Sequence, residues 1–199
     1  MKTRLKPAYI AFISLLLILS TYACGASMKK PDIKLNPNPR MRYEITMTIH
    51  GAPGPFDRIE GSIDYKVGNP ASVPLTPFSG ATVEPQRHET VEFRKVGENV
   101  YKAEIYADMF LDEDYFGQGV CHWVVEGLSA DLIVGSHNLS PAIFRDDIFS
   151  GATITRYFAN ISYTFRDRSS IDIGSSDPKD YKRPDDTFSV TLSSTESFP

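Results

Sequence analysis

The chain has 199 residues, of which 41% are hydrophobic, with 21 lysines and arginines and 25 aspartates and glutamates. The formal net charge of −4, without a basic cluster in the body of the chain, argues against a nucleic-acid-binding protein. This length and hydrophobic content suit a single domain that buries a core of its own.

The first 23 residues have the organisation of an export signal. Lys2, Arg4 and Lys6 precede an apolar run, residues 9–19, that is short for a transmembrane helix. Their removal leaves 18 of the 21 basic residues against 25 acidic ones, so the remaining chain carries a charge of −7. We therefore predict a signal peptide at 1–23 and an acidic exported protein.

Residues 20–25 have the sequence STYACG, which resembles the lipobox of bacterial lipoproteins. Thr21 departs from the leucine that is usual in that pattern. The resemblance implies lipidation of Cys24 and, because Gly25 follows it, a periplasm-facing position at the outer membrane. Two or more acyl chains would anchor the protein stably. The alternative is ordinary signal-peptide cleavage, which leaves Cys24 free or paired in a disulfide with Cys121.

Residues 24–40 are rich in proline and lysine, and they are predicted to form an extended tether ahead of a domain at 41–199. The domain opens with two alternating runs, 42–50 and 59–67, separated by turn residues. We expect these two strands to pair antiparallel. The four prolines of residues 69–85 predict a long surface connection, which serves either a function or a crossover between sheets.

A hairpin is predicted next, with residues 90–96 and 100–107 as its arms and Gly-Glu-Asn between them. An acidic segment follows, and then a strand at 120–134 that we expect to bend at Gly127, where its alternation changes phase. Cys121 and Trp123 share one face of this strand, so both are predicted to lie in the core.

The last third of the chain carries two further predicted strands. Residues 153–165 are rich in β-branched and aromatic side chains, and apolar residues alternate again around Val190. Loops are predicted at Asp146 and over 169–186. The sum is about eight strands and no convincing amphipathic helix, which favours an all-β antiparallel β-sandwich over the weaker alternative of a barrel.

No pattern in the chain predicts catalysis. Cys121 and His122 are adjacent, but neighbours on a strand point to opposite faces and cannot form a nucleophile–base pair. The serines lack a Gly-x-Ser-x-Gly elbow. We therefore expect a protein that is not an enzyme.

No cofactor and no metal are predicted either. The four histidines have no zinc-binding spacing. Asp108, Asp112, Glu113 and Asp114 together could supply oxygen ligands to calcium, but they lack the spacing of an EF-hand. A solvated acidic loop is the preferred interpretation.

Tyr115 and Phe116 end that acidic segment. Aromatic side chains among charges are typical of partner-binding surfaces, although packing over the edge of the sandwich explains them equally well. The residues we predict to bind a partner are acidic or aromatic: Asp112, Glu113, Asp114, Tyr115, Phe116, Asp146 and Asp147.

Several segments resemble a known family. Val73-Pro74, residues 79–81, residues 112–117 (DEDYFG) and residues 119–123 (GVCHW) are similar to small periplasmic lipoproteins encoded beside phospholipase effectors of type VI secretion systems. The resemblance implies an immunity protein that binds the secreted phospholipase and protects the producer's membranes. The alternative is a structural outer-membrane lipoprotein of the secretion apparatus or of another envelope complex. A metal-dependent envelope enzyme is a third, weaker possibility.

Overall fold

Alternation of apolar and polar residues places one face of each long strand in the core. In the first strand Tyr43, Ile45, Met47 and Ile49 are buried, while the residues between them are half-exposed. The computed structural model describes residues 31–76, 79–167 and 169–198, and residues from Asp32 onward form one compact unit. The predicted signal peptide and Cys24 lie outside the described residues. No helix within the described ranges is long and apolar enough to cross a membrane.

The described residues form eleven strands and one short α-helix. The strands are β1 (Arg42–His50), β2 (Arg58–Val67), β3 (Gln86–Val91), β4 (Arg94–Lys95), β5 (Val100–Tyr106), β6 (Trp123–Val134), β7 (His137–Leu139), β8 (Ala142–Phe144), β9 (Thr153–Ala159), β10 (Ser170–Asp172) and β11 (Thr187–Glu196). The helix α1 is Arg145–Ser150, and 3-10 turns span Pro70–Ser72, Asn160–Thr164 and Pro178–Asp180.

These strands form two sheets, and the predicted all-β sandwich is confirmed. The five-stranded sheet has the order β4-β5-β1-β11-β9, and the six-stranded sheet has the order β10-β7-β6-β2-β3 with β8 also paired to β6. All pairs are antiparallel except β10 with β7. Cys121 and Trp123 belong to the buried core, as predicted.

The expected pairing of β1 with β2 is wrong. Both edges of β1 are occupied within its own sheet, by β5 and β11, whereas β2 pairs with β3 and β6 in the other sheet. The turn residues between them therefore carry the chain from one sheet to the other. The Tyr163 hydroxyl donates a hydrogen bond to the carbonyl of Pro55 and ties this crossover down.

The hairpin around residues 97–99 is confirmed only for β4 and β5. The chain changes sheets just before it, because β3 pairs with β2 while β4 pairs with β5. Residues 69–85 join β2 to β3, which are neighbours in one sheet, so this connection is not a crossover between sheets.

The strand predicted over 153–165 ends early, at Ala159. The side chain and backbone N–H of Asn160 donate to the carboxylate and carbonyl of Asp186, and a 3-10 turn follows. The bend predicted at Gly127 is present one residue away. The register of β2 on β6 shifts so that Asp64 pairs with Gly127 and Tyr65 with Val125, which leaves Glu126 as the extra residue.

The compact unit begins at Asp32, nine residues before Met41, where the sequence predicts the domain to start. The backbone N–H of Asn36 donates to the carbonyl of Met109 at 2.8 Å, and that of Leu111 donates to the carbonyl of Lys34 at 3.0 Å. The end of the predicted tether, residues 32–40, is therefore held against the domain, and we call it the N-terminal strap.

Candidate partner-binding surface

The acidic loop, residues 108–119, connects β5 to β6 at one end of the sandwich. Its anchor is Phe110, which is buried with its ring 5.1 Å from that of Tyr65 and 5.0 Å from that of Trp123. The loop is thus fastened to the core by an aromatic side chain in its own sequence. Burial of a phenylalanine stabilises such a contact by roughly 1.5–3 kcal/mol.

The carboxylates of the loop form hydrogen bonds that hold its conformation. Asp108 accepts hydrogen bonds from the backbone N–H groups of Arg40 (2.8 Å) and Met41 (3.0 Å), which binds the N-terminal strap. Asp112 accepts from the backbone N–H of Trp123 at 2.9 Å, and its other oxygen lies 2.7 Å from Nδ1 of His122. These two side chains fix the two ends of the loop.

Glu113 and Asp114 have local partners as well. Glu113 forms an ion pair of 2.8 Å with Lys34 of the strap, and this hydrogen bond and charge raise the pKa of Lys34. Asp114 accepts from the backbone N–H of Gln118 at 3.0 Å and closes the turn. Exposed ion pairs contribute little to stability, so the carboxylate of Glu113 can exchange this partner for another at little cost.

Tyr115 and Phe116 are half-buried and pack against the core. The Tyr115 hydroxyl donates to the carbonyl of Leu111 at 2.7 Å. Of the two interpretations left open by the sequence, packing at the edge of the sandwich therefore describes the position of both side chains. Only part of each ring is available to a partner.

Asp146 and Asp147 lie in the first turn of α1, so the loop that the sequence predicts there is wrong. Carboxylates there interact favourably with the helix dipole. Ile148 is buried beneath the helix, and Gly151 ends it in the left-handed conformation with φ 68°. The pattern of two acids, an apolar residue and a later glycine is a helix signal that the sequence analysis did not use.

The helix lies at the same end of the sandwich as the acidic loop. Strand β8 runs antiparallel to β6, from Ser129 toward Gly127, and so delivers α1 toward the end at which β6 begins. The structure therefore brings the two groups of predicted binding residues to one end, although 29 residues lie between Phe116 and Asp146 in the sequence.

Exposed aromatic side chains at this end were missed by the sequence analysis. Phe144, Phe149 and Phe198 are 55%, 38% and 45% exposed. The rings of Phe149 and Phe198 both meet the buried ring of Tyr43 edge-on, at 5.3 and 5.6 Å. Phe144 and Phe149 flank a run of three charged residues, 145–147, and this is the sequence signal that could have found them.

The geometry around Cys121 and His122 agrees with the expectation from strand periodicity. Cys121 is fully buried, and its thiol lies 3.7 Å from the carbonyl oxygen of Ser72. The side chain of His122 is 61% exposed and faces Asp112. The thiol and the imidazole therefore point away from each other.

Within the described ranges, no group of three or more His, Cys, Asp or Glu side chains is arranged to hold a metal ion. The acidic loop uses its carboxylates for backbone N–H groups and for Lys34 instead. Comparison of the chain with protein-family models, with curated proteins and with solved structures finds no match.

Proposed function

We propose that this protein is an immunity lipoprotein of the cell envelope that binds and neutralises a secreted phospholipase effector. The proposal is supported by the resemblance of residues 112–117 and 119–123 to that family. The structural observation that carries it is the clustering of carboxylates and exposed aromatic rings at one end of a β-sandwich. That combination suits recognition of a protein.

In this proposal the protein neutralises the phospholipase by docking on it and covering its surface. An acidic loop fixed by Phe110 and Asp112 loses little conformational freedom when it docks, so less of the interaction energy is consumed by ordering. After removal of residues 1–23 the net charge is −7. This charge would accelerate association with a phospholipase whose active-site entrance is positively charged. A lipid at Cys24 would hold the protein beside the membrane that the enzyme attacks.

The test is binding and protection with the phospholipase encoded beside the gene. We expect the two proteins to co-purify and expect the full-length protein to rescue cells that export the phospholipase to the periplasm. A catalytically inactive phospholipase should bind equally well, which separates binding from turnover. Absence of both binding and protection would refute the proposal.

Deletion of the gene separates immunity from a structural role in the secretion apparatus. Immunity predicts self-intoxication while secretion of other effectors continues. A structural component predicts loss of secretion without intoxication. A Cys24→Ser variant, exported by the same signal, tests the contribution of the anchor to protection.

A further inference from the structure

Three aromatic rings form a small surface next to α1, which we call the aromatic end surface: Tyr43, Phe149 and Phe198. Tyr43 is only 4% exposed and supports the other two rings, which meet it edge-on from different elements. Phe149 comes from α1 and Phe198 follows β11. Exposed aromatic rings fixed in this way offer contact area with little loss of side-chain entropy on binding.

The exposure of these rings is not required by the fold. Ile148 already fastens α1 to the core with 1% exposure, and Leu192 and Val190 fill the interior of β11. Single exposed apolar residues are ordinary, whereas clustered ones mark interaction sites. Phe149 and Phe198 thus leave apolar area in water that burial against a partner would remove.

The rim of this surface carries unneutralised negative charge. Asp146 and Asp147 lie within one helical turn of Phe149, and Glu196 lies beside Tyr43 in the strand register. None of the three carboxylates has an ion-pair partner among the described residues. Burial raises the pKa of Tyr43, and the negative charge of Glu196 raises it further. Two basic groups are present. The guanidinium of Arg145 lies 5.7 Å from the centre of the Phe149 ring. The guanidinium of Arg42 donates hydrogen bonds to Ser197 and lies 4.0 Å from the carboxylate of Glu104.

These charges discriminate between possible occupants. Three carboxylates stand against two guanidinium groups, and one of these, that of Arg42, is paired with a fourth carboxylate, Glu104. The net charge is therefore negative, and an anionic membrane would be repelled. A second copy would bring the same carboxylates against each other, because a symmetric dimer uses the same patch twice. A protein that presents lysines or arginines around an apolar contact would bury the two exposed rings and pair with the carboxylates around them.

We infer that the aromatic end surface is a docking site for a basic protein, with Phe149 and Phe198 as its apolar anchors and Asp146, Asp147 and Glu196 as its charged rim. The inference deepens the proposed function, and it rests on that function only in taking the phospholipase as the first partner to test. It moves the centre of binding from the acidic loop to the neighbouring helix.

The experiment measures the affinity of the purified phospholipase for the full chain and four variants. Phe149→Ala with Phe198→Ala should weaken binding at least about 100-fold, in line with aromatic hot spots. Asp146→Asn with Asp147→Asn, which leaves the rings intact, should slow association about tenfold at low salt and less at high salt. Phe149→Leu keeps an apolar side chain should the alanine variant fold poorly. Ile171→Ala is the matched control, because Ile171 is 72% exposed on the edge strand β10.

If the wild type binds the phospholipase and the Phe149, Phe198 and aspartate variants bind it equally well, the inference is overturned and the proposed function still stands.

If the wild type does not bind the phospholipase, the proposed function fails, and a second experiment tests the aromatic end surface alone. A photo-crosslinking residue is placed at 149, 198 or 171 in cells. One protein captured from 149 and 198 but not 171, whose purified form binds less well to the aspartate variant, supports the inference. Crosslinks to lipid, to a second copy, or to nothing overturn it.

Discussion

The Asp112 carboxylate accepts a hydrogen bond from the backbone N–H of Trp123 at 2.9 Å, so a residue of the acidic loop fixes the first residue of β6. The second oxygen of the same carboxylate lies 2.7 Å from Nδ1 of His122. Loop and strand are therefore one structural unit. Asp112, which the sequence predicts to bind a partner, therefore has a structural role in holding the loop against the strand.

Replacing Asp112 should reduce stability. Asp112→Ala removes a charge-assisted hydrogen bond from the start of β6 and should lower the free energy of unfolding by about 1.5–3 kcal/mol. Urea denaturation followed by the fluorescence of Trp123 measures this change. Asp185→Ala is the control, since Asp185 is exposed and should change the free energy by less than about 0.5 kcal/mol. Equal changes in the free energy of unfolding for Asp112→Ala and Asp185→Ala would contradict a structural role of Asp112.

Tyr115 should also contribute to stability, contrary to the behaviour of a free contact residue. Tyr115→Phe removes the hydrogen bond to Leu111 and should cost about 0.5–1.5 kcal/mol, and Tyr115→Ala should cost more because part of the ring is buried. Thermal unfolding of both variants checks the order. Phe149→Ala should shift the melting temperature less than Tyr115→Ala, because Phe149 is 38% exposed whereas Tyr115 is half-buried and packs against the core. An unchanged melting temperature for Tyr115→Ala would show that the ring of Tyr115 does not contribute to stability.

Gly135 is required by both conformation and space. Its φ is 61°, and a Cβ there would lie 2.2 Å from the carbonyl oxygen of Arg166, closer than any real contact. Gly135→Ala should therefore destabilise the protein by more than the roughly 1–2 kcal/mol that a left-handed alanine costs. Gly117→Ala isolates the conformational cost, because Gly117 has φ 73° and nothing within 4 Å of its Cβ position. Similar losses for the two variants in urea denaturation would contradict the steric role.

Asp57 should make stability depend on acid pH. Hydrogen bonds from the backbone N–H of Gly135 and from Arg166 lower the pKa of Asp57 in the folded state. The unfolded chain, with an aspartate pKa of about 3.9, therefore takes up the proton first as pH falls. Stability from this group is present above about pH 4 and is lost as pH falls through the lower folded pKa.

The measurement for Asp57 is the urea midpoint of wild type and Asp57→Asn between pH 7 and pH 3. The wild-type midpoint should fall more steeply below about pH 4 than that of Asp57→Asn, because only the wild type has this carboxylate to protonate. Asp185→Asn should retain the steep wild-type profile. Parallel profiles for wild type and Asp57→Asn would refute the assignment.

The sequence by itself determined the fold class and the inward faces of the strands. Tyr43, Ile45, Met47 and Ile49 alternate with polar residues, and period-two alternation can bury only one face. The same rule separated Cys121 from His122. These features depend on local periodicity, so the order of residues along the chain is sufficient to predict them.

Only the tertiary structure decided which strands pair and which residues of the candidate surface lie together. β1 and β2 each read as a strand, but the sheet to which each belongs depends on β5, β11 and β6, which are distant in sequence. Phe198 likewise meets Tyr43 because β11, which precedes Phe198, pairs with β1. Such contacts arise from packing between remote segments, and local periodicity carries no information about them.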